Sequence, residues 1–398
     1  MGDGLGTITM NDMQTRHRFE SLDAIRGICA CMVALYHFHT MGWINNAPLI
    51  QHAALFVDFF FVLSGFVIAV SYGDKLAQGY STIQFLGLRL GRVYPLHFAA
   101  LLLLVATEVA FAVLAPHIAD RAPFAGENSP VDILYNLGLI QIFVGDPLSW
   151  NMPSWSIAAE FWTYVAFALL WRLAGRRAWL ATIPIAVIGL GLLAIFPVQH
   201  LVVFQAWSVV RCLVGFSLGV LAYEIYRRVP VSLNESASTA LEVGVTITLA
   251  AFVSYAHGLL MLATPVLFMG AVLVFAAQRG LLSRMLLWRP LQFVGELSYS
   301  IYMLHYFVQL RLVNSLTLIE RLLHHRFALI ARNAGRNQVG LSPAFGDAMS
   351  LVMLTVVVIF AWAGFKWIEQ PGRKWSRRMI LDGQAKPVLA TEREAPAF

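Results

Sequence analysis

Arg26 and His37 stand at the two ends of the apolar stretch RGICACMVALYH, eleven residues apart. On an α-helix they share one face, offset by about 20° and separated by roughly 16 Å along the axis. An imidazole can act as a general base, and a guanidinium can bind an anion. Ionisable groups inside an apolar segment tend to face a cavity or a partner, so the spacing favours a polar path along this helix. A snorkelling arginine and a packed histidine are the plainer alternatives.

Four further ionisable residues lie inside apolar runs at a depth similar to that of His37: Asp58, Glu160, Arg211 and His305. An isolated charge at that depth is costly, so we expect these groups to be paired or to share protons. Helix rise sets their depth but not their lateral neighbours. A buried Glu160–Arg211 ion pair without chemistry is therefore the structural alternative.

The cations at the other end of the predicted path form a separate group. Arg89 and Arg92 lie three residues apart in RLGRVYP, at a depth similar to that of Arg26, and IEQPGRKWSRR adds Arg373. Such a cluster suits a polyphosphate group, and it equally suits anionic lipid headgroups. Cations at one end and a base about 16 Å away fit a long linear donor such as acyl-CoA. A polyprenyl-phosphate donor and a proton-coupled transporter fit the same pattern.

The composition identifies the elements that must position these residues. The chain has 398 residues, of which 59% are hydrophobic and 13% charged, and a soluble domain carries about twice that charged fraction. This composition predicts a polytopic membrane protein. The net charge of +6 then reflects basic loops rather than nucleic-acid binding. The three cysteines lie in apolar runs without metal-ligand spacing, so we expect no metal.

Ten stretches have the length and apolarity of membrane spans, which predicts an all-α polytopic membrane helix bundle. The segment 131–145 is shorter and is predicted to be a re-entrant or interfacial helix. The loop 313–345 is basic, which suits an anionic acceptor, lipid headgroups or a solvated amphipathic helix. The ten spans cover residues 22–43, 54–72, 94–115, 155–173, 178–196, 203–226, 238–256, 259–277, 293–312 and 346–368.

The lysines and arginines predict the orientation of the bundle. With the N-terminus in the cytoplasm, 20 of them fall on the cytoplasmic side and six on the outer side. Because cytoplasmic loops carry the excess of positive charge, both termini are expected in the cytoplasm. The polar first 20 residues lack the apolar core of a secretory signal. We expect a cytoplasmic segment at 1–21, a membrane domain at 22–374 and a disordered cytoplasmic tail at 375–398.

Six motifs, taken together and in order, resemble the acyltransferase-3 family of integral membrane acyltransferases. Bacterial members of that family acylate exopolysaccharides, O-antigens, nodulation factors and macrolides. The motifs are Arg26 and His37 in an Arg-x10-His pattern, VDFFFVLSGF (57–66), RLGRVYP (89–95), WSIAAEFWTY (155–164), GELSYSIYMLH (295–305) and IEQPGRK (368–374).

The resemblance implies a multi-pass enzyme of the bacterial inner membrane that moves an acyl group, most often acetyl, from cytoplasmic acyl-CoA to a hydroxyl. The implied acceptor is a carbohydrate or lipid-linked glycan. Membrane lipid, a second copy of the chain and polysaccharide-assembly proteins are the implied partners. By resemblance, His37 is the catalytic histidine, and Glu160 is important for activity. Arg26, Arg89 and Arg92 match motif arginines that bind the donor or hold the site.

From these residues we expect His37 to take the proton from the acceptor hydroxyl, whose oxygen then attacks the thioester. Glu160 or Asp58 would orient the imidazole, as a carboxylate does in a triad. The donor phosphates would be held by Arg26, Arg89, Arg92 and Arg373. The candidates for contact with the substrate or the oxyanion are Arg211, Trp155, Ser156, Tyr302 and His305.

Two other mechanisms use the same residues. A covalent acyl-enzyme would form on Ser156, Ser298 or a cysteine, and relay the acyl group outward. A proton-coupled transporter or flippase would use His37, Asp58 and Glu160 as a proton relay.

Overall fold

The computed structural model describes residues 19–114, 122–196, 207–229, 233–324, 329–333 and 336–382. Nearly all of this described chain is helical, and its two strands form one antiparallel hairpin. The all-α prediction is therefore confirmed. Of the predicted N-terminal segment 1–21, residues 1–18 lie outside the described residues, and the first helix begins at Glu20.

Sixteen α-helical segments follow one another along the described chain, and short 3₁₀ or π-helical turns join some of them. They are α1 (Glu20–His37), α2 (Trp43–Asn46), α3 (Pro48–Gln51), α4 (Phe56–Ile68), α5 (Asp74–Ala77), α6 (Thr82–Leu114), α7 (Pro130–Leu137), α8 (Ser154–Ala174), α9 (Ala178–Ile195), α10 (Trp207–Arg228), α11 (Glu235–Tyr255), α12 (Thr264–Ala276), α13 (Leu281–Leu286), α14 (Arg289–Leu323), α15 (Pro343–Gly364) and α16 (Gln370–Asp382).

Seven helical segments of the described chain are long and apolar enough to cross a bilayer. They coincide with eight of the ten predicted spans, because one segment, Ser154–Ile195, contains both α8 and α9. The other two predicted spans, 22–43 and 293–312, correspond to α1 and α14, which carry more polar residues and pack against each other. The chain is a multi-pass membrane helix bundle.

The third predicted span, 94–115, begins earlier than expected. The helix α6 starts at Thr82 and continues without a break through Arg89 and Arg92. It contains Pro95, where the proline removes one backbone hydrogen bond, and Gly372 of α16 packs against the proline ring. The two arginines are therefore fixed to the body of the bundle rather than to a loop before it.

A glycine on each of α1 and α14 allows these helices to touch through their backbones. A Cβ added to Gly27 would lie 2.5 Å from the backbone nitrogen of Gly295, and one added to Gly295 would lie 2.5 Å from the carbonyl oxygen of Asp23. Small residues at such crossings permit the close packing that holds membrane helices together. The helices that carry Arg26 and His305 are thus locked in register.

The helices α4 and α10 meet in the same way. A Cβ on Gly65 would collide with the carbonyl oxygen of Phe216, and one on Gly219 with that of Val62. Gly215 and Gly219 form a GxxxG pair, a spacing that favours close helix contact. This crossing places α10, and with it Arg211, directly beside α4.

The loop 313–345 is not a single amphipathic helix. The helix α14 continues to Leu323, and the chain then forms the strands β1 (Leu329–Asn333) and β2 (Arg336–Val339). Val339 pairs with Leu329, donates from its backbone nitrogen to the carbonyl of His39 at 3.0 Å, and accepts from Met41 at 3.2 Å. Residues 325–328 and 334–335 lie outside the described part. The hairpin therefore braces the segment that follows His37.

Two other expectations need adjustment. The segment 131–145 is helical only over α7, which ends at Leu137. The disorder expected from residue 375 does not begin there, because α16 continues to Asp382, while residues 383–398 lie outside the described chain.

Candidate active site

A cavity of about 120 Å³ lies among α1, α4, α6, α8 and α14. Its lining on α4 runs from Val57 to Ile68, which corresponds to about 16 Å of helix. Phenylalanine, valine, leucine and isoleucine side chains form its apolar wall. The polar residues of the lining are Arg26, Ser64, Arg89, Arg92, Ser156, Glu160, Tyr164, Ser298, Tyr299 and Tyr302.

Three arginines, Arg26, Arg89 and Arg92, mark what we call the arginine end of the cavity. Nε of Arg26 donates to Oγ of Ser298 at 2.7 Å, and Nη2 donates to the carbonyl of Gly295 at 3.2 Å. The Arg26 guanidinium also pairs with Asp23 at 3.1 Å. These contacts tie the arginine to α14 as well as to α1, so its position is set by the crossing of the two helices.

Arg89 lies over the ring of Tyr72, with 5.0 Å between the guanidinium carbon and the ring centroid. Its Nη2 donates to the Tyr72 hydroxyl at 3.4 Å. Its Nε is buried and has no hydrogen-bond partner among the described residues. A buried donor without a partner costs free energy, and an anionic ligand in the cavity would remove that cost.

Glu160 lies in the cavity wall and accepts hydrogen bonds from two hydroxyls. The donors are Ser64 Oγ on α4 and Tyr164 Oη, one turn further along α8, and the two hydroxyl oxygens lie 2.9 Å apart. Ser64 and Tyr164 were not among the predicted site residues. The polar serine inside the apolar run FFFVLSGF was the available sequence signal.

Asp58 and Arg211 form a buried ion pair outside the described lining of the cavity. Nε and Nη2 of Arg211 donate to the two carboxylate oxygens of Asp58 at 2.7 and 3.1 Å. Only 8% of the arginine side chain and 2% of the aspartate side chain are exposed. The alternative of a Glu160–Arg211 pair is therefore wrong, because α10 packs beside α4 and brings Arg211 to Asp58.

The opposite end of the cavity, which we call the tyrosine end, is formed by Ser156 and Tyr302. Their hydroxyl oxygens are 2.9 Å apart, and Ser156 Oγ lies 3.0 Å from the carbonyl oxygen of Pro153. Trp155 does not line the cavity but packs against Phe61, and the Arg211 guanidinium lies 5.7 Å from its ring. Tyr302 is one helical turn beyond Ser298, so Arg26 and the tyrosine end lie at successive levels of α14.

His37 and His305 form a pair just beyond the tyrosine end. Their ring centroids are 5.1 Å apart, and Nε2 of His305 lies 3.2 Å from Nδ1 of His37. His305 is completely buried, whereas His37 is half-buried. The Tyr302 ring is 5.9 Å from that of His305. His37 is not among the described residues that line the cavity, so the histidine pair stands behind its wall.

Arg373, the fourth candidate donor ligand, lies within electrostatic range of Arg92, Arg89 and Arg26. It is 44% exposed, lies outside the described cavity lining and is 3.6 Å from the carboxylate of Glu369. Glu369 is buried and accepts from Ser300 Oγ at 2.8 Å. Glu369 thus links Arg373 on α16 to Ser300 on α14, and the contact of Arg373 with the donor stays a prediction.

Comparison with known proteins identifies the chain. The model of a family described as an acyltransferase domain matches residues 19–365. "Protein 2 in picA locus" of Rhizobium radiobacter is 38% identical over 121 residues, which cover 30% of this chain and 56% of that protein. "Acyltransferase MdmB" of Streptomyces mycarofaciens is 30% identical over 183 residues, which cover 42% of this chain and 44% of that protein.

The chain thus spans about half the length of these curated relatives. No solved structure matches the chain. The family match extends over α1 to α15 and includes every helix that lines the cavity. The chain belongs to the acyltransferase-3 family of membrane acyltransferases.

Proposed function

We propose that this membrane acyltransferase moves an acyl group, most often acetyl, from cytoplasmic acyl-CoA to a hydroxyl of a cell-envelope or exported glycan in the bacterial inner membrane. One observation carries the proposal: a single cavity connects three arginines with a tyrosine that lies next to a histidine pair. This arrangement suits a donor that is anionic at one end and reactive at the other.

The arginine end would hold the phosphates of the donor. Arg89 offers a buried Nε without a described partner, and Arg92 lines the same wall. Arg26 is anchored to Ser298, so its charge is fixed before the ligand arrives. The apolar wall then suits the thin pantetheine arm, which needs few polar partners. The cavity lining follows α4 for about 16 Å, which suits an extended arm rather than a compact substrate.

The reacting atoms would meet at the tyrosine end. His37 would take the proton of the acceptor hydroxyl while the hydroxyl oxygen forms a bond to the thioester carbon. The carbon–sulfur bond then breaks, and the thiolate of CoA leaves and recovers a proton from the imidazolium. General-base help of this kind is typically worth about 10²–10⁴-fold in rate.

Tyr302 is the best-placed candidate for the developing oxyanion. Its hydroxyl lies at the end of the cavity, and its ring contacts that of His305. One well-placed donor to an oxyanion contributes about 3–4 kcal/mol. Arg211, the other candidate, is engaged by Asp58, so we assign that pair to holding α10 against α4.

The partial exposure of His37 supports separate approaches of the two substrates. The donor would enter at the arginine end, whereas the acceptor would reach His37 from the side that the cavity wall does not cover. The two substrates would then meet beside Tyr302, at the tyrosine end.

Transfer of labelled acetyl from acetyl-CoA to cell-envelope glycan tests the proposal. The protein is reconstituted into vesicles, and the glycan is isolated and counted. We expect transfer by the wild type, loss of transfer in His37→Gln, and normal transfer in His257→Gln, which removes an exposed imidazole on another loop. Unlabelled glycan with the wild type, accompanied by proton-dependent uptake of a solute, would instead support the transporter.

A further inference from the structure

We propose that His305 is a positioning residue that holds His37 in one tautomer, with the proton on Nδ1 and the reactive lone pair on Nε2. The identity of His37 as the base rests on the proposed function, but the assignment of the tautomer does not. It follows from three contacts between ring nitrogens and their neighbours.

The first two contacts tie each imidazole to its own helix. Nδ1 of His37 lies 3.0 Å from the carbonyl oxygen of Val33, and Nδ1 of His305 lies 3.3 Å from that of Ile301. Each carbonyl belongs to the residue one turn earlier. A carbonyl oxygen can only accept a hydrogen bond, so both Nδ1 atoms must carry a proton.

The third contact joins the two rings. Nε2 of His305 lies 3.2 Å from Nδ1 of His37. Since Nδ1 of His37 carries the proton, Nε2 of His305 must be the acceptor, and His305 is a neutral imidazole protonated on Nδ1. All three contacts are then satisfied together, with one proton of His37 shared between Val33 and His305.

The alternative tautomer of His37 leaves these contacts unsatisfied. With the proton on Nε2, the lone pair of Nδ1 would face both the carbonyl oxygen of Val33 and the lone pair of His305. The Nδ1 lone pair of His37 would then lie 3.0 Å from the carbonyl oxygen of Val33 and 3.2 Å from Nε2 of His305, with no proton in either contact. Because His305 is 0% exposed, water does not compete for its Nε2.

This arrangement gives His305 the role that a carboxylate has in a triad. The two carboxylates proposed for that role have other partners: Asp58 pairs with Arg211, and Glu160 accepts from Ser64 and Tyr164. When His37 accepts a proton on Nε2, its Nδ1–H becomes a stronger donor to His305. The proton of His305 Nδ1 points at a backbone carbonyl, so the pair positions the base and does not conduct protons onward.

Ring-¹⁵N NMR of the full-length protein in lipid nanodiscs measures the tautomer directly, and His37→Gln identifies the His37 signals. We expect wild-type His37 to be protonated on Nδ1, whether or not the protein transfers acetyl. The Nε2-protonated tautomer in the wild type would overturn the assignment without needing any variant at His305. Failure of the proposed function would instead appear as absent transfer with the tautomer unchanged.

Two substitutions test the positioning role. His305→Leu removes the acceptor, whereas His305→Gln keeps an acceptor at the end of a polar side chain. His305→Leu removes a hydrogen bond that His37 donates when it is charged. We therefore expect kcat to fall about 10- to 100-fold in His305→Leu, with KM for acetyl-CoA unchanged. The His37 signals should then report a mixture of tautomers, and His305→Gln should recover most of the rate.

Loss of rate in His305→Leu with the His37 tautomer unchanged would overturn the positioning role. His305 would then contribute only to the packing of the helices. Equal loss in both variants would overturn it as well. If His305→Leu does not fold, the wild-type spectrum and His305→Gln still decide: an Nε2-protonated tautomer or an inactive, folded Gln variant contradicts the proposal.

Discussion

The buried pair of Asp58 and Arg211 gives a prediction that separates a structural role from a catalytic one. We expect Asp58→Asn and Arg211→Met each to lower the free energy of unfolding by roughly 3–5 kcal/mol, because each leaves a desolvated group without its partner. The double variant Asp58→Leu with Arg211→Met should cost less than either single change, since an apolar pair of similar volume replaces both charges.

The magnitude follows from the geometry of the pair. Two roughly parallel hydrogen bonds of 2.7 and 3.1 Å join side chains that are 8% and 2% exposed, so solvent screens the charges little. The matched control is the pair of Arg284 and Glu235, whose side chains are 52% and 64% exposed. Glu235→Gln should cost no more than about 1 kcal/mol, as exposed ion pairs do.

Unfolding is followed by tryptophan fluorescence as the detergent micelles are titrated with sodium dodecyl sulfate. Acetyl transfer is measured in parallel at a temperature where every variant is folded. Neither residue is among the described residues that line the cavity, so the double variant should retain donor affinity. Single variants of wild-type stability that have lost transfer would refute this reasoning, because Asp58 would then act in the chemistry.

Three further predictions concern the cavity and its frame. Arg89→Ala should raise KM for acetyl-CoA about 10- to 100-fold in kinetic assays, because a charge-assisted donor is lost, whereas Arg172→Ala, an exposed cation, should not change it. Gly27→Ala should destabilise the protein by about 1–3 kcal/mol in the same titration through overpacking, whereas Gly270→Ala should not, because nothing lies within 4 Å of a Cβ added there. Ser64→Ala should cost about 1–2 kcal/mol, since Glu160 loses one of its two donors; an unchanged midpoint would show that this bond contributes nothing.

What the sequence predicts well are the local properties of each helix. Apolar length identifies the spans, and helix rise gives the depth of each ionisable residue within its span, because both depend only on residues that are close along the chain. The amino-acid sequence alone thus assigns Arg26, Arg89 and Arg92 to one level of the bundle, and the three arginines do line one cavity.

Lateral neighbours are not predictable in the same way. Asp58 and Arg211 are 153 residues apart, and their pairing depends on the contact of α4 with α10 through Gly65 and Gly219. Judged by depth alone, Arg211 could pair with either Asp58 or Glu160, and the alternative of a Glu160–Arg211 pair was wrong. The position at which a helix ends also depends on tertiary contacts. The basic loop after α14 could therefore be interpreted as an amphipathic helix, whereas it forms a hairpin against residues 39–41.

The histidine pair shows that lateral information can be present in a sequence when two local facts are combined. Gly27 precedes His37 by ten residues, and Gly295 precedes His305 by ten residues. The two helices touch at the glycines and run in the same direction, since Gly295 contacts the beginning of α1 and Gln309 contacts Ala34 near its end. Parallel helices that start from a backbone contact rise by the same amount per residue, so equal spacing brings the two imidazoles to the same height, about 15 Å beyond the crossing. The glycines therefore set the register of the histidine pair as well as the packing of the helices.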